Sequence, residues 1–202
     1  MLSHLKRLNG LFLALGLVLA AGSVTLAQGK KEVKATPGQS EISSSSIGNT
    51  YYYPTFKKGK VTFITGTANE GILNFNLLTD EVAYINTKKD TLFFDQMYLI
   101  DMITMDSDTF YYDTHRGSVL KLLKNINGRK LLVKENPGNN ASTIAKTYYV
   151  TNKSDYIPAS TPNIINLFPS HASTLQKYIE EHNLKLKSEE EISKLLEYAA
   201  NL

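Results

Sequence analysis

Residues 71–85 read GILNFNLLTDEVAYI, and this stretch decides the predicted fold. Apolar positions alternate with other residues on both sides of a central turn, which is typical of two strands joined as a hairpin. Successive side chains of a strand point to opposite faces, so Leu73 and Phe75 share one face. Asn74 and Asn76 share the other face.

The two asparagines need an explanation, because an asparagine amide competes for backbone hydrogen bonds and is disfavoured in strands. One interpretation is that their side chains hold the turn that follows. The other is that they line the interior of a rolled sheet and bind a ligand. Asn74 and Asn76 are therefore the candidate binding residues of the chain.

Runs of the same character recur along residues 51–168, separated by clusters of Asn, Asp, Gly and Pro that are typical of turns. In chain order these runs are KVTFITG, GILNFNLL, DEVAYIN, DTLFFD, MYLIDMITMD, DTFYYDT, SVLKLLKN, RKLLVKE and TIAKTYYVT. Asn127-Gly128, between two apolar runs, is the strongest hairpin signal. The pattern predicts a mainly β fold, an antiparallel meander that is rolled or partly closed into a barrel.

Residues 169–202 change to a helical period and predict two C-terminal helices packed on the sheet. The first helix has candidate inward positions at Ala172, Leu175, Ile179 and His182. Ser188 and Glu191 form a capping box at the start of the second helix. The apolar face of that helix comprises Ile192, Leu195, Leu196 and Ala199.

Residues 1–27 have the three parts of a secretory signal peptide. Lys6 and Arg7 form a basic head, residues 11–21 are apolar, and small residues lead to a cleavage site at Ala27. The apolar part is about half of the roughly 20 residues that span a bilayer. No cysteine follows it, which excludes a lipoprotein.

Residues 28–50 are polar and serine-rich, and predict a flexible linker. Cleavage before Gln28 leaves 175 of the 202 residues, enough for one domain with its own core. The chain is expected to be exported past the inner membrane, to the periplasm, the outer-membrane surface or the exterior. No transmembrane span is expected after cleavage.

The composition argues against several function classes. After cleavage 20 basic residues face 19 acidic ones, so no field attracts nucleic acid. The absence of cysteine excludes thiol catalysis and thiolate metal sites. No nucleophile or phosphate-loop motif is present, and we expect no catalytic residues, no metal and no cofactor.

Histidines and acids of the mature chain do not follow metal-ligand spacing. The three histidines are His115, His171 and His182. The acidic cluster that comes nearest to a calcium-binding pattern is Asp101, Asp106 and Asp108. That cluster lacks the glycine and the closing glutamate of a calcium loop. The 12 tyrosines suit a half-buried sheet, and the alternative is a stacking platform for sugars or peptides.

The chain resembles an uncharacterised family of exported β-rich proteins from gram-negative bacteria. The resemblance covers most of residues 51–202. It rests on Phe56, Gly59 and Val61, on the Leu-Asn-Tyr-Asn-like run Leu73-Asn74-Phe75-Asn76, and on Glu81. The tail at residues 175–202, LQKYIEEHNLKLKSEEEISKLLEYAANL, also resembles the ending of that family. Phe75 replaces the tyrosine usual in that family. The resemblance implies export and a β-rich fold, and it implies no activity.

These observations predict a secreted or envelope protein that is not an enzyme and has a structural or binding role. Its partner is unknown and would be an envelope protein or a small ligand. Two alternatives stay open. One is a small-molecule carrier that binds inside the rolled sheet, and the other is a hydrolase acting on an envelope polymer.

Overall fold

A computed structural model describes residues 50–137 and 144–202. The predicted signal peptide, residues 28–49 of the predicted linker and residues 138–143 lie outside the described residues. No helix within the described part has both the length and the apolar content that a membrane span requires.

The fold is a ten-stranded antiparallel sheet followed by helices, which confirms the predicted mainly β class. The strands are β1 (Lys57–Phe63), β2 (Ala68–Phe75), β3 (Val82–Ile85), β4 (Thr91–Phe93), β5 (Ile100–Met105), β6 (Asp108–Asp113), β7 (Ser118–Ile126), β8 (Arg129–Pro137), β9 (Ile144–Asn152) and β10 (Asp155–Pro158). A short 3₁₀ turn, Met97–Leu99, precedes β5. β10 was not predicted, because its four residues follow a lysine-containing turn without an apolar run.

The sheet order is β10-β9-β8-β7-β6-β5-β1-β2-β3-β4, so the sheet is open and not a barrel. Strands β1 to β4 form one meander and β5 to β10 form a second. The two meanders join where β5 returns to pair with β1, with Val61 opposite Ile103. β1 is therefore an inner strand, with β2 on one side and β5 on the other.

The predicted Asn-Gly hairpin is confirmed. Asn127 and Gly128 both have positive φ, at 49° and 82°, and Ile126 pairs with Arg129 across the turn. Positive φ at both central residues gives the backbone twist that a two-residue hairpin turn needs. The run 118–125 is part of β7, as the flanking glycine and Asn-Gly pair indicated.

The described residues form two hydrophobic cores, and the first of them joins the two meanders. The first is built around β1, β2, β5 and β6, and its buried side chains include Val61, Leu73, Phe75, Ile103 and Phe110. The second lies between β7 to β9 and the helices, and its buried side chains include Leu131, Val150, Leu175, Leu195 and Leu196. The docking of the helices on the sheet is as predicted.

Three α-helices follow the sheet, α1 (Thr161–Asn166), α2 (Ala172–Glu181) and α3 (Glu189–Ala200). The prediction included the last two and missed α1, whose six residues are too few for a readable helical period. Ser188 Oγ accepts a hydrogen bond from Glu191 N at 3.3 Å, as the capping box predicts. The Glu191 carboxylate binds the backbone N–H groups of Lys185 and Lys187.

The predicted apolar faces of the two helices are largely correct. In α3, Ile192, Leu195, Leu196 and Ala199 are all buried. In α2, Leu175 and Ile179 are buried, but His182 is exposed at the helix end. The His182 ring instead lies against the Tyr178 ring, with the two centroids 4.0 Å apart and the planes tilted by 30°.

Gly59 lets β1 and β5 approach each other, and its replacement tests that junction. A Cβ at Gly59 would lie 2.4 Å from Thr104 O, which is backbone and cannot move aside without separating the strands. We expect Gly59→Ala to lower the free energy of unfolding by about 1–3 kcal/mol, the usual cost of overpacking. Urea denaturation, monitored by circular dichroism, measures this free energy of unfolding.

Gly71 is the matched control, because it lies directly opposite Gly59 on β2. A Cβ at Gly71 would meet only Leu73 Cδ2, at an ordinary 3.8 Å. Gly71→Ala should therefore leave stability unchanged or slightly increased. Equal losses in the two variants would show that the close approach of β1 and β5 does not matter.

Candidate functional site

The Asn74 side chain replaces a missing stretch of backbone pairing. β1 pairs with β2 as far as Leu73, and the segment 50–53 pairs with the same edge of β2 from Phe75 onward. Between them the chain bulges away from β2 through Pro54, which has no N–H to donate. Asn74 lies opposite this bulge.

The Asn74 carboxamide binds the backbone on both of its ends. Its Oδ1 accepts hydrogen bonds from Tyr53 N at 3.1 Å and Phe75 N at 3.0 Å, and its Nδ2 donates to Tyr53 O at 2.9 Å. The residue is 1% exposed. Both polar atoms of Asn74 are thus engaged with the chain itself.

Asn76 holds the turn between β2 and β3. Its Oδ1 accepts hydrogen bonds from Leu78 N at 2.8 Å and Thr79 N at 3.3 Å, the arrangement of an Asx turn. This contact supports the turn-holding interpretation for Asn76. The sequence alone did not indicate that Asn74 acts on the segment before β1, because Tyr53 is 21 residues away.

Aromatic rings pack on Phe75, on the face of β2 opposite the Asn74 side chain. Tyr52 stacks on Phe75 with centroids 4.7 Å apart, and both rings contact Phe110 edge-on at 5.3 and 5.2 Å. Offset and edge-on contacts at these distances are favourable. Neither asparagine is among the lining residues of the two concavities described below.

A polar network fastens the same segment to the second meander. Tyr53 Oη donates to Asp108 Oδ2 at 2.6 Å, and Lys121 Nζ lies 2.9 Å from Asp108 Oδ2 and 3.0 Å from Tyr52 Oη. Burial would raise the pKa of Asp108, but the hydrogen bonds from Tyr53 and Lys121 outweigh it and lower that pKa. The network stabilises the ionised carboxylate.

Asp80 makes a second connection of this kind. It forms a mostly buried ion pair with Lys134 of β8 and accepts a hydrogen bond from Val119 N of β7 at 2.9 Å. The turn between β2 and β3 thus rests against β7 and β8. Because both charges are paired, burying them does not leave an isolated ion.

A concave surface lies elsewhere, where the end of β1 and the start of β5 face the β6–β7 and β9–β10 turns. It has a volume of about 180 Å³, and we call it the tyrosine groove. Its lining residues are Ile64, Tyr98, Ile100, Asp101, Tyr112, Asp113, Thr114, His115, Ser154, Asp155 and Tyr156. The backbone bond from Ile64 N to Leu99 O, 2.9 Å long, fixes one wall.

The rim of the tyrosine groove carries large apolar side chains in contact with solvent. Ile64 is 63% exposed and Tyr98 is 58% exposed. Scattered exposed apolar residues are ordinary, but a pair of them beside a concavity with convergent polar groups is typical of a binding site. Asp101, also exposed, forms no ion pair with any described residue.

The opposite wall is held by two contacts across 40 residues of sequence. Arg116 Nη1 donates to Asp113 Oδ2 at 2.7 Å and to Tyr156 O at 2.8 Å, and His115 Nε2 lies 3.0 Å from Asp155 Oδ1. Asp113 is 1% exposed and also accepts the N–H groups that follow it in the turn. Burial, helped by the nearby Tyr111, Asp101 and Asp113, raises the pKa of Tyr156 to about 12.

The residues weighed as metal ligands are dispersed. Asp101 lies in the tyrosine groove, Asp106 is in the β5–β6 turn 4.0 Å from Lys57, and Asp108 belongs to the network with Tyr53. His171 precedes α2 and His182 ends it. Within residues 50–137 and 144–202 no three histidine, aspartate or glutamate side chains converge.

Sequence reasoning missed the tyrosine groove, although it considered the β6–β7 turn that contains His115. The groove is assembled from four separate segments, and each contributes only one to four residues. No spacing in the sequence reveals that the turn at 113–117 meets the turn at 152–155. The signal that was present, an excess of tyrosine, did not indicate which rings face solvent.

Comparisons with models of protein families, with curated proteins and with solved structures find no match for this chain. The resemblance to an exported β-rich family therefore rests on the residues quoted for it.

The contrasting roles of the two asparagines can be tested by replacing each with threonine. Asn74→Thr removes the amide that binds Tyr53 N, Tyr53 O and Phe75 N, so we expect it to lower the free energy of unfolding by about 1–3 kcal/mol. Asn76→Thr should cost about 0.5 kcal/mol or less, because a threonine hydroxyl accepts turn N–H groups more weakly in the same way. Thermal melting compares the two, and indistinguishable curves would contradict the role given to Asn74.

Proposed function

We propose that this chain is an exported protein of the cell envelope that binds a glycan in the tyrosine groove without changing it chemically. The observation that carries the proposal is the groove itself. It combines solvent-exposed apolar and aromatic side chains at the rim with hydrogen-bonding groups from several segments. The signal-like residues 1–27 support export.

The chemistry of the lining favours a sugar. Aromatic rings such as Tyr98 offer an apolar face to the C–H groups of a sugar ring. Asp101 offers acceptors to hydroxyl groups, and Thr114 and Ser154 offer both donors and acceptors. Apolar walls with a few placed polar groups are the general composition of a small-ligand site.

The edge of β10 disfavours an extended peptide as the ligand. Strand addition needs free backbone N–H and C=O groups along an edge. The Tyr156 carbonyl already accepts from Arg116, and Pro158 has no N–H and its carbonyl accepts from Ser160 N and Asn163 Nδ2. Peptide pairing at this edge would have to displace those bonds.

The contacts also argue for binding rather than hydrolysis. Glycoside hydrolysis uses a pair of carboxyl groups on either side of the scissile bond. Asp113 is buried under Arg116, and Asp155 pairs with His115, so both hold the walls of the groove. The carrier alternative requires a ligand cavity beside Asn74 and Asn76, and the amide oxygens of both residues already accept backbone N–H groups.

Binding is tested with purified protein and two probes, insoluble peptidoglycan sacculi and soluble polysaccharides of the envelope. Tyr98→Ala and Asp101→Asn should each raise the dissociation constant about tenfold. This change corresponds to about 1.4 kcal/mol of lost stacking or hydrogen bonding. Co-sedimentation and isothermal titration calorimetry give the measurement.

The matched control compares Ile64→Ser with Leu78→Ser. The two side chains are equally exposed, at 63% and 64%, but Leu78 lies in the β2–β3 turn and does not line the groove. Only Ile64→Ser should weaken binding. If both serine variants bind like the parent, or if no glycan probe binds the parent, the proposal is wrong.

Export has its own test. The form recovered outside the cytoplasm should have the mass of a chain that begins at Gln28, because Ala27 ends the predicted cleavage site. Replacing Ala27 with a bulky residue should retard cleavage, and Leu26 changed in the same way serves as a neighbouring control. A cytoplasmic chain that still carries residues 1–27 would contradict export.

A further inference from the structure

A second concavity lies between the β7–β8 turn, Phe168 and the end of α3. It has a volume of about 240 Å³, and we call it the Arg129 cleft. Its apolar walls are Ile126, Phe168, Leu196 and Ala199, and its charged group is Arg129. It is separate from the tyrosine groove and shares no lining residue with it.

Arg129 has no acidic partner among the described residues. Its Nη1 donates to Thr151 O at 2.6 Å, and its guanidinium lies over the Phe168 ring, 5.0 Å from the centroid. Partial burial lowers the pKa of Arg129, and no carboxylate opposes this effect. A guanidinium has five N–H donors in a fixed fork, so the bond to Thr151 leaves donors available.

The walls of the cleft are held in place before any ligand arrives. The β7–β8 turn is fixed by the positive φ of Asn127 and Gly128, and Asn127 Nδ2 donates to Ala200 O at the end of α3. Lys124 and Glu197 form an ion pair that ties β7 to α3. A preformed site loses little entropy when it binds a small molecule.

We propose that the Arg129 cleft binds a small monocarboxylate with an apolar tail, with the carboxylate on Arg129 and the tail against Ile126, Leu196 and Ala199. Guanidinium matches the geometry of a carboxylate and forms paired charge-assisted hydrogen bonds. A volume of about 240 Å³ holds roughly eight groups of water size, at about 30 Å³ each. Hexanoate has this size and is the probe we choose.

The first test needs no variant. Hexanoate and hexanamide have the same shape and differ in charge, and both are titrated into the purified protein while backbone amide chemical shifts are recorded. Hexanoate should bind at least about tenfold more tightly than hexanamide, because only the carboxylate pairs with a guanidinium. The shifts should centre on residues 126–129 and 196–200. Equal affinity, or shifts centred elsewhere, would overturn the proposal.

The second test changes the arginine. Arg129→Met keeps an apolar stem and removes the charge, and it should abolish the preference for hexanoate over hexanamide. Arg129→Lys keeps the charge but loses the fork, so it should retain part of that preference. A preference that is unchanged in Arg129→Met would show that Arg129 serves only to bind Thr151. The comparison of ligands on the parent protein still decides the matter if this variant does not fold.

Discussion

The pairing of β5 with β1 is the contact on which the rest of the molecule depends. The chain completes four strands and then returns to the free edge of its first strand, with Val61 opposite Ile103. Gly59 permits the close approach, because any side chain there would meet the backbone of β5. This pairing also brings Ile64 beside the 3₁₀ turn before β5, and that contact forms one wall of the tyrosine groove.

Polar contacts then hold the two meanders against each other. Asp80 reaches from the first meander to Lys134 and Val119, and Tyr53 reaches to Asp108, which Lys121 also binds. Each contact buries charge, but every charge has a partner and hydrogen bonds, which is the condition for tolerating it. Such contacts fix how the two meanders are oriented, because the burial of apolar side chains such as Phe75 and Phe110 is by itself not directional.

The two concave surfaces differ in how they are built, and this difference suits different ligands. The tyrosine groove presents the exposed ring of Tyr98 and the exposed acids Asp101 and Asp155. The Arg129 cleft carries a single charged group, the Arg129 guanidinium, among mostly apolar side chains of the sheet and the helices. Neither concavity uses Asn74 or Asn76, whose amide groups are engaged with the backbone around them.

The sequence by itself determined the class of the fold, the Asn127-Gly128 hairpin and the inward face of α3. These features are local, since alternation, turn chemistry and helical spacing act between residues close in the chain. Only the tertiary structure decided that the sheet stays open, that β5 joins β1, that Asn74 binds Tyr53 and that His115 meets Asp155. Those contacts join residues 21 to 46 positions apart, and their geometry depends on strand pairing and sheet curvature, which no local pattern specifies.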